Sequence, residues 1–266
     1  MRFGRHLWLA LLVFTSPTLA CAPAESQRKQ IHPTEERDES RGWLGLDGMT
    51  AFSESTTQAL LQHPMRRLSL NGLTTLTPSQ AKLLARHKSD FLRLNGVLHL
   101  SDEAVDALAD YQGGLELNGL TLLSDAAARS LGRHVGAVLS LNGVISLSDE
   151  AAASLANQRG ILLLNGLPTL SSGAAASFAQ HSGMLLSLNG LKSLSSDVAK
   201  ALSRQEDGIL LDGLTTLSTE AAEALSQHEG HLSLRGLKDL SPDARDAIMR
   251  HQRVYLPDGF ETATKP

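Results

Sequence analysis

The sequence predicts an α/β solenoid with one short parallel strand and one short helix per layer, and three observations carry that prediction. From Leu44 onward a phrase of 23 or 24 residues recurs nine times, a period that belongs to stacked repeats rather than to a globule. Each copy opens on an apolar-x-apolar pair such as Leu68/Leu70 or Leu139/Leu141, the period-two pattern of a strand. Each copy then reaches a Ser or Thr followed by an alanine-rich stretch, the pattern of a helix start. A chain that is 42% hydrophobic but only 4% aromatic suits such layers, because thin repeats need small, uniform fillers.

Taken in order along one copy, the strand is closed by a polar-Gly pair. It runs from Asp47/Gly48 and Asn71/Gly72 through Asp212/Gly213 and Arg235/Gly236, with a degenerate tenth at Asp258/Gly259. Asn, Asp and Gly tolerate positive φ, so the pair reads as a turn. Two apolar columns follow, Met49 to Leu237 and Phe52 to Leu240, and fill the layer between strand and helix. The next column is Ser or Thr without exception, from Ser53 and Thr77 to Ser241. These are helix N-caps, whose hydroxyls satisfy free amides of the first turn. Pro78 and Pro242 occupy the first helical position, and Glu103, Glu150, Asp197, Glu220 and Asp243 place negative charge at the positive end of the helix dipole. Within the helices, pairs such as Ala104/Leu108, Ala127/Leu131 and Ala174/Phe178 form one apolar stripe, the alanine allowing close approach and the larger residue filling the layer.

His63, His87, His134, His181, His228 and His251 end the helices, with Tyr111, Gln158 and Gln205 in the same column. All three residue types can donate to free carbonyls, which makes the column one of C-terminal caps. It does not read as a metal ladder. His87, His134, His181 and His228 are each 47 residues apart, two layers, which separates their backbones by about 10 Å, whereas metal–nitrogen bonds are about 2.1 Å. Only His63/His87 and His228/His251 fall in adjacent layers.

Residues 42–260 therefore form the solenoid, nine repeats plus a degenerate terminal half-repeat, and 261–266 form a tail. Residues 1–20 read differently: Arg2 and Arg5 precede the apolar run from Leu7 to Phe14, then Ser16, Pro17 and Thr18. That is a secretory signal peptide, too short for a lasting membrane span. The single cysteine, Cys21, excludes an internal disulfide. Thr18-Leu19-Ala20-Cys21 resembles the lipobox of bacterial lipoproteins, which implies lipidation of Cys21; ordinary cleavage after Ala20 or Ala24 is the alternative. Either route exports the chain, to the cell envelope with a lipid anchor if Cys21 is modified, otherwise to the periplasm or beyond. Residues 21–41, polar and of mixed charge with Pro23 and Pro33, read as a disordered tether. Twenty such residues span on the order of 25 Å.

The order Leu-x-Leu, turn, Leu, Leu, Ala, Leu, from Trp43 to about Phe260, resembles bacterial leucine-rich repeats of the class with short convex-side helices. The resemblance implies a parallel sheet on a concave face and a scaffold that binds proteins. The asparagine stands directly after the strand, whereas the commonest consensus places it three residues beyond the last strand leucine. That position argues against an internal asparagine ladder of the usual kind.

With 24 Lys and Arg against 28 Asp and Glu and no block of one sign, no basic stripe exists to follow a phosphate backbone, and nucleic acid is excluded as a partner. A phosphate-cradling glycine loop, a Gly-x-Ser-x-Gly elbow, a His-Glu-x-x-His helix and a cysteine nucleophile are all lacking from the sequence, so neither an enzyme, a cofactor nor a metal is expected. What remains is the outward strand face, four and two residues before each Asn. Arg67, Phe91, Arg93 and Glu116 occupy its first third, and Val138, Ile161, Leu163, Leu185 and Leu210 form an apolar strip beyond. Such a strip with a charged rim is the footprint of a protein partner. The competing reading is that the position four before Asn turns inward as extra core. Two other functions stay open: a cell-wall or surface polysaccharide binder using the Asn row and Thr74/Thr75 or Thr215/Thr216, and a passive envelope spacer.

Overall fold

The computed structural model describes residues 36–38, 43–51, 53–61, 66–258 and 260. The expected signal peptide, Cys21, most of the tether, Phe52, His63, Gly259 and the tail lie outside them. All described elements belong to one compact unit, Glu35–Pro266. In chain order they are β1 (Glu36–Asp38), β2 (Trp43–Gly45), α1 (Glu54–Leu60), β3 (Arg67–Ser69), α2 (Pro78–Ala85), β4 (Phe91–Arg93), α3 (Asp102–Ala109), β5 (Gly114–Glu116), α4 (Asp125–Leu131), β6 (Val138–Ser140) and α5 (Asp149–Leu155). They continue as β7 (Ile161–Leu163), α6 (Ser172–Phe178), β8 (Leu185–Ser187), α7 (Ser196–Leu202), β9 (Gly208–Leu210), α8 (Thr219–Leu225), β10 (Leu232–Ser233), α9 (Pro242–Ile248) and β11 (Val254–Tyr255).

Strands β2 to β11 pair in sequence order as one parallel sheet, the α/β solenoid the period predicts. β1 departs from expectation. Three residues of the segment assigned to the tether pair antiparallel with β2, Glu36 opposite Gly45 and Asp38 opposite Trp43. The physical reason is the first layer's open edge, whose amides and carbonyls need partners; a charged strand supplies them and discourages further pairing.

The core is the space between sheet and helices. Leu68, Leu70, Leu92, Leu94, Leu139 and Leu141 are fully buried, as are Val97, Val144 and Leu191 of the next column. From the helices, Ala104/Leu108, Ala151/Leu155 and Ala221/Leu225 meet them, also fully buried. Leu100, Leu123, Leu147, Leu170, Leu194 and Leu240 close the rim, half-buried against that core.

Helices of seven or eight residues do not stand alone in water, so their starts are specified locally. Each Ser/Thr N-cap accepts from the amide three residues on, at 2.9–3.3 Å from Ser53 to Ser241. Thr77 completes a capping box with Gln80. The caps also join layers: Ser124 donates to Asp102 and Ser171 to Asp149, each at 2.5 Å, and Ser148 donates to Asp125.

The glycine of the Asx-Gly pair has a different reason from the one its turn suggests. None of these glycines, among the described residues, has φ in the left-handed region. Instead the chain passes against the backbone of the layer before. A Cβ on Gly143 would lie 2.1 Å from the Asn118 carbonyl oxygen and 2.6 Å from that of Leu120. In the first repeat, Gly48 has no such neighbour and nothing lies within 4 Å.

Candidate binding face

The face of the sheet away from the helices is organised by a ladder of side-chain acceptors. The backbone N–H at each Asx position donates to Oδ1 of the Asx one layer earlier, from Asn71 to Asp47 through Arg235 to Asp212, at 2.8–3.0 Å. The position of the asparagine directly after the strand thus moves the ladder to the sheet face, where residues 71 to 212 of it are half-exposed and Asp47 and Arg235 exposed, instead of abolishing it. Only Oδ1 is needed, so Asp serves at 47 and 212. At the end, Arg235 offers no acceptor. β11 is also offset: Tyr255 pairs with Ser233, which puts Pro257, lacking an N–H, at the ladder position. The turn closes one residue later, from Phe260 N to Pro257 O, so Asp258 follows the strand with one extra residue between. The Arg235 guanidinium lies over the Tyr255 ring, 5.4 Å from its centroid, and finishes the stack.

Serines two residues before the Asx reinforce the ladder. Ser69, Ser140, Ser187 and Ser233 donate to Oδ1 of the preceding layer's Asx at 2.6–2.7 Å. Asn142→Asp should therefore change stability by less than about 1 kcal/mol, while Asn142→Leu strands the Asn165 amide and costs about 1–3 kcal/mol. Urea midpoints and hydrogen exchange at the Asn165 amide test this; equal midpoints for the two variants would refute the ladder's importance.

The nine expected site residues fall on this face in two rows. Arg67, Phe91 and Gly114 are neighbours in one row, as are Val138, Ile161, Leu185 and Gly208. Arg93, Glu116 and Ser140 are neighbours in the other, as are Leu163, Ser187 and Leu210. Arg67 is exposed and Phe91 half-buried. Phe91 leans over Gly114, where a Cβ would come within 2.4 Å of its ring; Leu185 leans over Gly208 in the same way, with Cδ1 2.7 Å from such a Cβ. Ile161 and Leu185 are buried yet stand outside the core cluster: the position four before Asn faces away from the helices but packs along the sheet. Arg93 Nε reaches Glu116 at 3.1 Å, and Asn95 Nδ2 donates to the same carboxylate at 2.9 Å. That ion pair replaces a serine in tying the ladder together. Val138, Leu163 and Leu210, like Phe91, are half-exposed apolar side chains.

The helix-end column links layers. His87 Nε2 donates to Leu60 O at 3.2 Å while its Nδ1 accepts from Ser89 N, which fixes the neutral tautomer. His134 and His181 reach Ala109 O and Ala156 O of the helix one layer back, and Tyr111, Gln158 and Gln205 reach carbonyls one layer back in the same way. The caps predicted at His87, His134 and His181 thus serve the helix before their own, and Tyr111, Gln158 and Gln205 bond the loop that follows that helix. All these histidines are buried, and burial lowers their pKa. Burial also lowers that of His251, to about 4, with His228, His231 and Arg253 adding to the effect. The His228 and His251 rings stack at 5.7 Å. Among the described residues, no group of three or more His, Cys, Asp or Glu is placed to hold a metal ion.

A second apolar surface lies outside the predicted face. Leu98, Leu122 and Ile145 are 54%, 67% and 55% exposed on the edge where the Asx-Gly turns lead into α3, α4 and α5. Leu98 and Ile145 lie three residues after their Asn and Leu122 four, so they form no column. Their signal was apolarity at positions where other repeats mostly carry Thr, Lys or Ser.

No protein-family model matches the chain, and no curated protein sequence matches it. Among solved structures it is similar to a Leptospira interrogans LRR protein at 14% identity, covering 77% of this chain and 74% of that one, with a TM-score of 0.25. The assignment of architecture rests on this chain's own ladder, register and layer-by-layer caps, which make it a leucine-rich-repeat-like α/β solenoid.

Proposed function

We propose that this chain is a non-enzymatic binding scaffold of the bacterial cell envelope that holds a protein partner on the sheet face away from its helices. One observation carries the reading: Leu163 and Leu210 stand in the column where Ser140, Ser187 and Ser233 support the ladder. Each leucine forgoes a side-chain hydrogen bond worth about 1 kcal/mol and leaves an aliphatic group half-exposed. Layer stability does not ask for that substitution, whereas an apolar contact surface does. Val138 extends the patch, and Arg67 with the Arg93–Glu116 pair forms its charged end. The export half of the proposal rests on the Arg2/Arg5 and Leu7–Phe14 pattern and on Cys21; fatty-acid labelling, with Cys21→Ser as control, tests it.

The sheet face is tested by two double variants. Leu163→Ser with Leu210→Ser should keep or raise the urea midpoint, by regaining ladder bonds, and lose the protein captured from an envelope extract. Leu163→Asp with Leu210→Asp should lose it as well. Undiminished capture by both folded variants would refute the sheet-face assignment.

A further inference from the structure

The turn edge of three consecutive layers combines an apolar ridge, a pocket and an acidic rim. Leu98, Leu122 and Ile145 form the ridge, more than half exposed, where other layers present Thr74/Thr75, Lys192/Ser193 or Thr215/Thr216. Beside Leu122 a pocket of about 180 Å³ opens between α3 and α4. Its floor is Val105, Leu120 and Ala127, all core residues, and its mouth is His99, Asp102 and Leu122. That floor is apolar and its volume suits one aliphatic side chain.

The rim decides what kind of chain carries that side chain. Asp102 and Glu103 open α3, Asp125 opens α4, and Asp149 and Glu150 open α5, with no basic residue in those first turns. A helix N-terminus answers about half a negative charge, and Arg129 pairs with Glu150 at 2.8 Å. The edge keeps a net negative charge of about two or three after both are counted. An apolar occupant with acidic flanks meets repulsion here, and one with basic flanks meets attraction.

We propose that this edge docks a cationic protein segment, seating one leucine-like side chain in the pocket while flanking lysines or arginines meet the rim. The site is separate from the sheet face and stands or falls independently of the reading given to that face. A dye-labelled peptide of two leucines flanked by lysines, titrated into the full-length protein and followed by anisotropy, is the probe. Saturable, salt-sensitive binding is expected, weakened about tenfold by Leu98→Ser with Leu122→Ser and again by Glu103→Lys. These residues are exposed, and circular dichroism verifies that the variants fold. The matched peptide with glutamates for lysines should not bind. Absence of saturable binding, equal binding of the glutamate peptide, or binding undiminished in the Leu98/Leu122 variant overturns the proposal. Loss of binding in Leu163→Ser with Leu210→Ser would move the peptide to the sheet face and overturn it too.

Discussion

Gly143→Ala should destabilise the protein by about 3 kcal/mol or more, a large effect for one methyl group, while Gly48→Ala leaves the urea midpoint unchanged or slightly raised. The new Cβ at 143 would sit 2.1 Å and 2.6 Å from two backbone carbonyl oxygens of the layer before. Neither neighbour is a side chain that can rotate away, so relief requires layers four and five to part. Parting them breaks the Asn142–Asn118 ladder bond and the adjoining β5–β6 pairing. At Gly48 the added methyl meets nothing within 4 Å, and alanine merely restricts the unfolded chain. The comparison separates close approach from turn conformation, because the two glycines share the turn and differ only in having a layer behind them. Equal urea midpoints for Gly143→Ala and the parent would sink this account.

Acid should begin to loosen the solenoid before its carboxylates titrate. For His87, His134, His181, His228 and His251 the folded pKa lies below the ordinary value of 6.5, so between those values the unfolded chain binds more protons and stability rises with pH. The histidine contribution is complete above pH 6.5 and is lost as pH falls, for His251 down to about 4. Discounted for solvent screening, that residue contributes on the order of 1–2 kcal/mol at the acid limit.

Geometry explains why these rings resist protonation. No hydrogen bond of good geometry reaches Nε2 of His134, His181 or His251, and the stacked His228–His251 pair faces His231 and Arg253. Asp207 lies near His181 and His228; burial raises its pKa, an opposite contribution from one group. Asp106, lowered by Ser130 and Arg133, weakens the fold only as pH falls through the ordinary carboxylate range and below. Glutamine fills the same column at 158 and 205, so His228→Gln with His251→Gln should keep the neutral-pH fold and flatten the melting temperature between pH 6.5 and pH 4. An unaltered pH profile in that variant would refute the histidine origin.

Features set by one copy of the repeat were legible in the chain. Ser101, Ser124 and Ser148 read as N-caps because a cap bonds three residues away, and Leu139/Leu141 read as a strand because alternation is a property of a single segment. Features set by the neighbouring layer were misread or invisible. Gly143 suggested a positive φ but answers to Asn118, 25 residues earlier. Ile161 and Leu185 were candidates for open contact surface, yet they are buried along the sheet face, Leu185 leaning over Gly208.

The period, the alternation and the cap residues were enough to determine a parallel α/β solenoid, because each depends on spacing within a few residues. Only the stacked structure decided which polar groups are consumed by the ladder, which histidines are buried, and where apolar surface remains open at Val138, Leu163, Leu210 and along the Leu98–Ile145 edge. The physical reason is that in a solenoid every layer is finished by the one before it. Contacts across that seam join residues some 23 positions apart, and their geometry is written in no single copy.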